Sequence, residues 1–208
     1  MKTPRNPSPR DLESLLRGPK PGLAAQLEMA PMPPPGTMTF EEAEGSSLKA
    51  AVLILLYPRD GASHIVFIRR PPTSLHHKDQ IAFPGGQIEN GEDRVRAALR
   101  ETHEEIGVPS AEIRVLGEIT PLFIPPSNFC VYPVVGVAER PLRFIPFAQE
   151  VAEILEVPLS LLLDPDHVRR ETWKLERGPV LVPFYEFGRH KIWGATAMIL
   201  SEFLALVR

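Results

Sequence analysis

The sequence has little of several features that define large protein classes. It has one cysteine among 208 residues, Cys130, which excludes an internal disulfide framework and is typical of a reducing compartment. No apolar run is long enough to span a membrane, and the charged, proline-rich N-terminus lacks the apolar core of a signal peptide. The formal net charge of −3 lacks the basic signature of nucleic-acid binding. We therefore expect a cytoplasmic protein without a membrane or nucleic-acid partner.

Proline, by contrast, is abundant, with 24 residues, many of them before residue 36. Within this part, Asp11 to Leu16 has the pattern of a short helix with an apolar face. The composition of the whole chain, 43% hydrophobic and 24% charged, fits one globular domain with a sizeable core. We predict a proline-rich arm with a short helix over residues 1–46 and a globular domain over residues 47–208.

Hydrophobic patterning predicts the elements of that domain. Strands are expected at 49–57, 65–68, 80–83, 113–119 and 131–137, and a closing hairpin at 171–175 and 180–187. Helices are expected at 150–163, broken by Pro158, and at 195–207. Strands on both sides of a central helix, followed by a C-terminal helix, indicate an α/β sandwich with a mixed sheet.

The central helix, after Gly86, carries the most informative pattern. Its glutamates Glu101, Glu104 and Glu105 stand at i, i+3 and i+4, which places them on one face of a helix. The apolar stripe falls on roughly the opposite side. Asn90 or Asp93 is suited to cap the start, and Gly107 is suited to end the helix. Hard cations such as Mg²⁺ bind carboxylate oxygens together with substrate phosphates, so this face is a candidate metal site.

The spacing of the whole segment resembles the Nudix box, a glycine followed at fixed intervals by glutamates, an arginine and a second glycine. The matching residues are Gly86, Glu92, Arg100, Glu101, Glu104, Glu105, Gly107 and Val108. Thr102 departs from the pattern, because the family usually has an aliphatic residue there. The resemblance covers about residues 47–208 and implies a Nudix-type α/β/α sandwich that hydrolyses diphosphate bonds with a divalent metal.

The resemblance also implies roles for individual residues. Glu101 and Glu105 are first-choice ligands for Mg²⁺ or Mn²⁺, Glu104 supports or shares that site, and the carbonyl of Gly85 is a further ligand. Arg100 is counted with the catalytic residues, either orienting the glutamates through salt bridges or contacting substrate. Glu150 is the candidate for the additional catalytic carboxylate that such sites use. The alternative for Glu150 is an ordinary exposed glutamate at the start of a helix.

The residues before the box resemble the signature of the coenzyme A pyrophosphatase branch of the family. The matching residues are Arg70, Leu75, His77, Gln80, Ile81, Phe83, Pro84, Gly85 and Gly86, whereas Asp79 replaces the usual glycine. Coenzyme A carries a 3′-phosphate besides its diphosphate and needs cations beyond the metal centre. The predicted substrate-binding residues are therefore Arg69, Arg70, His77, Lys78, Gln80 and Phe83.

Two alternatives for the function remain at this point. The substrate is another nucleoside diphosphate derivative such as ADP-ribose, or the chain is a non-catalytic Nudix module that senses a nucleotide. The second reading is disfavoured, because the box carboxylates are all present. The expected partner is a small-molecule substrate. A homodimer, with a second copy of the chain as partner, is a further possibility.

Overall fold

The computed structural model describes residues 7–34, 39–73, 78–175 and 178–208. Its helices are α1 Pro9–Arg17, α2 Gly22–Leu27, α3 Phe40–Ala43, α4 Arg94–Ile106, α5 Leu159–Leu163 and α6 Gly194–Val207. Its strands are β1 Leu48–Arg59, β2 Ala62–Arg69, β3 Ile81–Ala82, β4 Gly85–Gln87, β5 Arg114–Glu118, β6 Leu122–Ile124, β7 Phe129–Val137, β8 Glu153–Pro158, β9 Val168–Leu175, β10 Gly178–Phe187 and β11 His190–Trp193. Within these ranges, no helix has both the length and the hydropathy needed to cross a bilayer.

Strand β1 is the centre of the main sheet. It pairs antiparallel with β2 and β4 and parallel with β7, in a register that sets Ile54 opposite Val135. Strands β5 and β6 pair antiparallel with β7, and β3 and β8 pair antiparallel with β2. The sheet is therefore mixed, as predicted. A second, three-stranded antiparallel sheet has the order β11, β10, β9.

The main sheet is covered on both faces by helices. Alternate residues of a strand point to opposite faces, so Leu53 packs in the cluster that includes Ile106 of α4. Its neighbour Ile54 packs in the cluster that includes Leu200 and Phe203 of α6. Each such fully buried side chain contributes roughly 2 kcal/mol of hydrophobic stabilisation. The α/β/α sandwich with a mixed sheet is thereby confirmed.

The N-terminal arm packs on the α6 side of the sheet. The predicted short helix is present within α1, where the side chain of Ser8 accepts a hydrogen bond from the Asp11 backbone N–H at 3.2 Å. Leu12 and Leu16 of α1 are buried in the same core cluster as Phe203. Helix α2 packs against α6. The boundary between arm and domain at residues 46 and 47 stays a prediction.

The predicted helix at 150–163 is wrong for most of its length. Residues Glu153–Pro158 form strand β8, which pairs with the outer side of β2 and sets Val157 opposite Ile65. Only Leu159–Leu163 is helical. A short apolar run does not by itself distinguish a strand from a helix, and here the free edge of β2 supplies the hydrogen bonds that select the strand.

Candidate active site

The helix that carries the box, α4, has well-defined ends. The Asp93 side chain accepts a hydrogen bond from the Arg96 backbone N–H at 2.9 Å and is the N-cap. Gly107 ends the helix with φ of +72°, as predicted. The unusual Thr102 is buried, and its hydroxyl donates to the carbonyl of Ala98 at 2.7 Å. That bond satisfies the hydroxyl, so the departure from the family pattern leaves no unpaired group in the core.

Glu105 does not share a solvated face with the other two glutamates. It is only 1% exposed and accepts a hydrogen bond from the Gly85 backbone N–H at 2.9 Å. The Arg70 guanidinium lies 3.7 Å from its other oxygen. Burial raises the pKa of Glu105 to about 8, since the contacts with Gly85 and Arg70 offset only part of the lost hydration. A bound cation would supply the missing compensation.

The chain bends at Pro84 into β4, and this glycine turn, residues 84–86, lies directly against the glutamates. Gly85 has φ of +151°, and a Cβ atom there would stand 2.4 Å from the carbonyl oxygen of Ala51. At Gly86 a Cβ atom would stand 2.4 Å from the Glu101 carboxylate. Glycine is therefore required at Gly85 for the chain to pack against the backbone of β1, whereas a side chain at Gly86 would displace the Glu101 carboxylate.

Arg100 gathers the more exposed carboxylates of the site. Its guanidinium donates to Glu92 through Nε at 3.0 Å and Nη2 at 3.1 Å. Its Nη1 donates to both Glu101 and Glu104 at 2.9 Å. Of the two roles considered for Arg100, orienting the glutamates or contacting substrate, this geometry favours the first. Burial raises the pKa of Glu101, against the lowering effect of Arg100.

Glu150 lies in an exposed turn and not at the start of a helix. The turn is held to α4, because the Phe147 backbone N–H donates to the carbonyl of Glu105 at 2.9 Å. The charge of Glu150 contributes to raising the pKa of both Glu101 and Glu105. The structure therefore brings this distant carboxylate within electrostatic reach of the helix glutamates.

The segment before the box reaches the same turn through Arg70. The Arg70 side chain donates to the Gly85 carbonyl at 3.4 Å, and its backbone N–H donates to the carbonyl of Gln80 at 3.0 Å. Asp79 has φ of +57°, a conformation that the glycine expected there adopts readily. Its side chain binds Arg69 at 2.8 Å. Aspartate thus retains the left-handed backbone and adds an ion pair.

The remaining predicted substrate residues differ in their positions. Lys78 is exposed, and Gln80 is partly buried. Phe83 is buried in the core, with its ring 4.9 Å from that of Phe67, so it supports the turn from beneath. His77 lies outside the described residues. The roles of these residues in binding substrate stay predictions.

The residues around the turn fit a hard divalent cation by their chemistry. Glu101, Glu104, Glu105 and the Gly85 carbonyl offer only oxygen donors, and the buried charge of Glu105 is incompletely compensated. Within the described ranges, no three acidic, histidine or cysteine side chains already converge as a ready metal cage. The guanidiniums of Arg100 and Arg70 instead lie against the carboxylates.

A family model of the NUDIX domain matches residues 47–179 of the chain. The chain belongs to the Nudix family. It is 32% identical over 180 residues to an uncharacterized Nudix hydrolase, NudL, of Photorhabdus laumondii, which covers 85% of this chain and 90% of that protein. NudL of Yersinia enterocolitica is 33% identical over 176 residues, 82% of this chain and 84% of that protein.

The fold agrees with this assignment. A crystal structure of a MutT/nudix family protein from Enterococcus faecalis superposes with a TM-score of 0.51 over 78% of this chain and 62% of that one, at 19% identity. This Nudix chain is therefore a pyrophosphohydrolase by family. Nudix enzymes act on small nucleotide-derived substrates and generally use divalent metals.

Three basic residues beside this site were not among those predicted from the sequence. Arg189, His190 and Lys191 lie at the turn from β10 into β11, where Arg189 and His190 both contact Glu153. Their signal was the run of consecutive basic residues after Gly188. A basic run is usually a solvated surface, and only the tertiary contact between β11 and β3 places this one near Arg69.

Proposed function

We propose that this Nudix enzyme hydrolyses the diphosphate bond of coenzyme A and its derivatives to 3′,5′-ADP and 4′-phosphopantetheine. The observation that carries the proposal is the position of Arg70. This residue belongs to the segment that resembles the coenzyme A branch, and it contacts both the Gly85 carbonyl and the buried Glu105. The residues that suggest the substrate and those that suggest the chemistry therefore meet at one turn.

Mg²⁺ or Mn²⁺, held by Glu101, Glu105, Glu104 and the Gly85 carbonyl, would neutralise the diphosphate and activate the attacking water. Around it, Arg100 keeps Glu101 and Glu104 in a fixed orientation through its shared guanidinium. Glu150, exposed and close to both helix glutamates, is the proposed acceptor of the proton from the attacking water.

The substrate carries negative charge well beyond the diphosphate. The approach segment, residues 69–83 before the box, supplies positive charge for it. Arg70 of this segment already lies at the glycine turn, and Lys78 is exposed. Arginine binds phosphate oxygens with two parallel hydrogen bonds, so Arg70 would exchange its contact with Glu105 for a contact with a substrate phosphate if Glu105 held the metal. His77 and Gln80 complete the proposed set.

One comparison of substrates tests the proposal. Purified protein with Mg²⁺ is given coenzyme A, 3′-dephospho-coenzyme A or ADP-ribose, and the products are separated by chromatography. We expect a kcat/KM for coenzyme A at least about 10-fold above those of the other two, because a charged hydrogen bond contributes about 1.5–3 kcal/mol. Equal values for all three substrates would contradict recognition of the 3′-phosphate. No turnover of coenzyme A would contradict the proposed reaction.

A further inference from the structure

An open cleft of about 510 Å³ lies beside the approach segment, between β3 and β11. This volume is in the range of small-molecule sites. Its lining combines three permanent cations with a histidine, one carboxylate and two apolar side chains. The lining residues are Arg69, Asp79, Ile81, Arg189, His190, Lys191 and Trp193.

The three permanent cations of this basic cleft are bound by three carboxylates, Glu153, Asp79 and Glu171. The Lys191 ammonium lies 2.5 Å from Glu171. Glu153 accepts from Arg69 Nε at 3.0 Å and from Arg189 Nη2 at 3.2 Å, and its other oxygen lies 3.2 Å from His190 Nε2. One carboxylate therefore serves two guanidiniums and an imidazole. Arg189, whose side chain is 77% exposed, has further N–H donors. The cleft can thus accept an anion without breaking its existing ion pairs.

An aromatic wall adjoins the cations. The Trp193 ring is held edge to face against Trp173, with centroids 4.9 Å apart. The Lys191 ammonium lies 4.9 Å from the centre of the Phe184 ring on the same sheet. A fixed indole next to guanidinium and ammonium groups matches a ligand that combines a planar base with a phosphate.

The basic cleft is also rigidly joined to the catalytic turn. Arg69 and Arg70 are consecutive, so their Cα atoms are about 3.8 Å apart, yet Arg69 contacts Glu153 whereas Arg70 contacts Glu105. The Thr196 hydroxyl of α6 donates to the carbonyl of Ile81 at 3.0 Å. The Ala152 backbone N–H donates to the carbonyl of Arg69 at 2.9 Å. One edge of the sheet therefore separates the cleft from the glutamates.

We infer that the basic cleft binds a nucleoside phosphomonoester, namely the 3′-phosphoadenosine end of the substrate, with Arg189 and Lys191 contacting the 3′-phosphate. This inference rests on the proposed function. It adds Arg189 and Lys191, from the β10–β11 hairpin, to the substrate-binding residues of the approach segment.

The test uses the double variant Arg189→Gln/Lys191→Gln. Its matched control is Arg170→Gln/Lys174→Gln, which removes the same charges from exposed positions on β9 of the same sheet. We expect the first variant to lose about 10- to 100-fold in kcat/KM for coenzyme A, mainly through KM, as two charged hydrogen bonds are lost. Hydrolysis of 3′-dephospho-coenzyme A should stay within about 2-fold of wild type, as should both reactions of the control. Equal losses on the two substrates, or no loss on coenzyme A, would overturn the inference.

A binding measurement separates this inference from the proposed reaction. Calorimetry compares 3′,5′-ADP with 5′-AMP on wild type and on Arg189→Gln/Lys191→Gln. Preferential binding of 3′,5′-ADP that the variant abolishes supports the cleft, even if wild type does not cleave coenzyme A and the proposed reaction fails. Hydrolysis of coenzyme A by wild type together with unchanged 3′,5′-ADP binding in the variant leaves the reaction intact and overturns the cleft.

Discussion

Glu202 of α6 and Glu105 of α4 are both almost fully buried, at 0% and 1% exposure, but they are compensated very differently. Glu202 accepts from the backbone N–H groups of Gly22 at 3.1 Å and Thr120 at 3.2 Å. It also accepts from the Thr120 hydroxyl at 2.6 Å and the Gln26 amide at 2.8 Å. Glu105 has one backbone hydrogen bond and a guanidinium 3.7 Å away.

The comparison shows that burial alone does not identify a functional carboxylate. Glu202 has a structural role, because neighbouring donors satisfy its carboxylate. These hydrogen bonds join the N-terminal arm to α6 and to the β5–β6 connection. Glu105 carries an uncompensated desolvation cost, which raises its pKa to about 8. A carboxylate left in this state next to a glycine turn is suited to receive a cation.

The largest expected effect concerns activity and Glu105. The Glu105→Gln variant should lose more than about 100-fold in kcat, because loss of a ligand should exceed the 10- to 100-fold cost of losing a supporting contact. Steady-state hydrolysis of coenzyme A with Mg²⁺ measures it. His103→Ala, an exposed position on the same helix, serves as the control and should stay near wild type. A Glu105→Gln enzyme with full activity would refute the assignment of Glu105 as a ligand.

Glu202 should show the opposite behaviour. Glu202→Gln brings an amide against the Gln26 amide and weakens a charged hydrogen-bond set, so the free energy of unfolding should fall by about 2 kcal/mol. Urea denaturation measures this change, while kcat per folded molecule should stay near the wild-type value. If Glu202→Gln lost activity without losing stability, the contrast between the two glutamates would be wrong.

A third variant concerns Arg100, which positions the carboxylates and is not itself a proposed metal ligand. Arg100→Lys keeps the charge but cannot bind Glu92, Glu101 and Glu104 simultaneously, because an ammonium lacks the planar fork of the guanidinium. We expect kcat to fall about 10-fold and the concentration of Mg²⁺ needed for half-maximal activity to rise. A fall in kcat without any change in Mg²⁺ dependence would instead indicate that Arg100 contacts the substrate.

A last effect, on stability and only in the metal-free protein, is a dependence of the free energy of unfolding on pH. The pKa of Glu105 rises from 4.5 to about 8 on folding, so the folded state binds the proton more tightly than the unfolded state. Its contribution is fully present below about pH 4.5 and is lost as the pH rises through about 8, with a limiting slope of about 1.4 kcal/mol per pH unit. Wild type should therefore lose more stability than Glu105→Gln between pH 5 and 8 in chelator, and identical urea curves for both would exclude the shift.

Much of the fold could be predicted, because long periodic segments carry their own signal. The strand at β1 and the helices α4 and α6 follow from apolar spacing, and the end of α4 follows from Gly107. Strand β8 could not be predicted, since its identity depends on the edge of β2, which lies about 90 residues earlier in the chain.

The residues of the site could be predicted from the sequence, but their burial and their hydrogen-bond partners could not. Fixed spacing placed Glu101, Glu104 and Glu105 on one helix, but spacing does not reveal that β4 covers Glu105 and leaves Glu104 exposed. The hydrogen-bond partners of Glu202 come from two distant segments, α2 and the β5–β6 connection, so its structural role was invisible in the local sequence. The basic cleft likewise depends on the contact between β3 and β11.

Direct titration of Mn²⁺ into the metal-free protein tests the central claim, that the poorly compensated Glu105 marks the metal site. Calorimetry at pH 8 should show binding to wild type and to Glu202→Gln with similar affinity. Under the same conditions Glu105→Gln should bind at least about 10-fold more weakly. Equal Mn²⁺ affinity in wild type and Glu105→Gln would contradict the account.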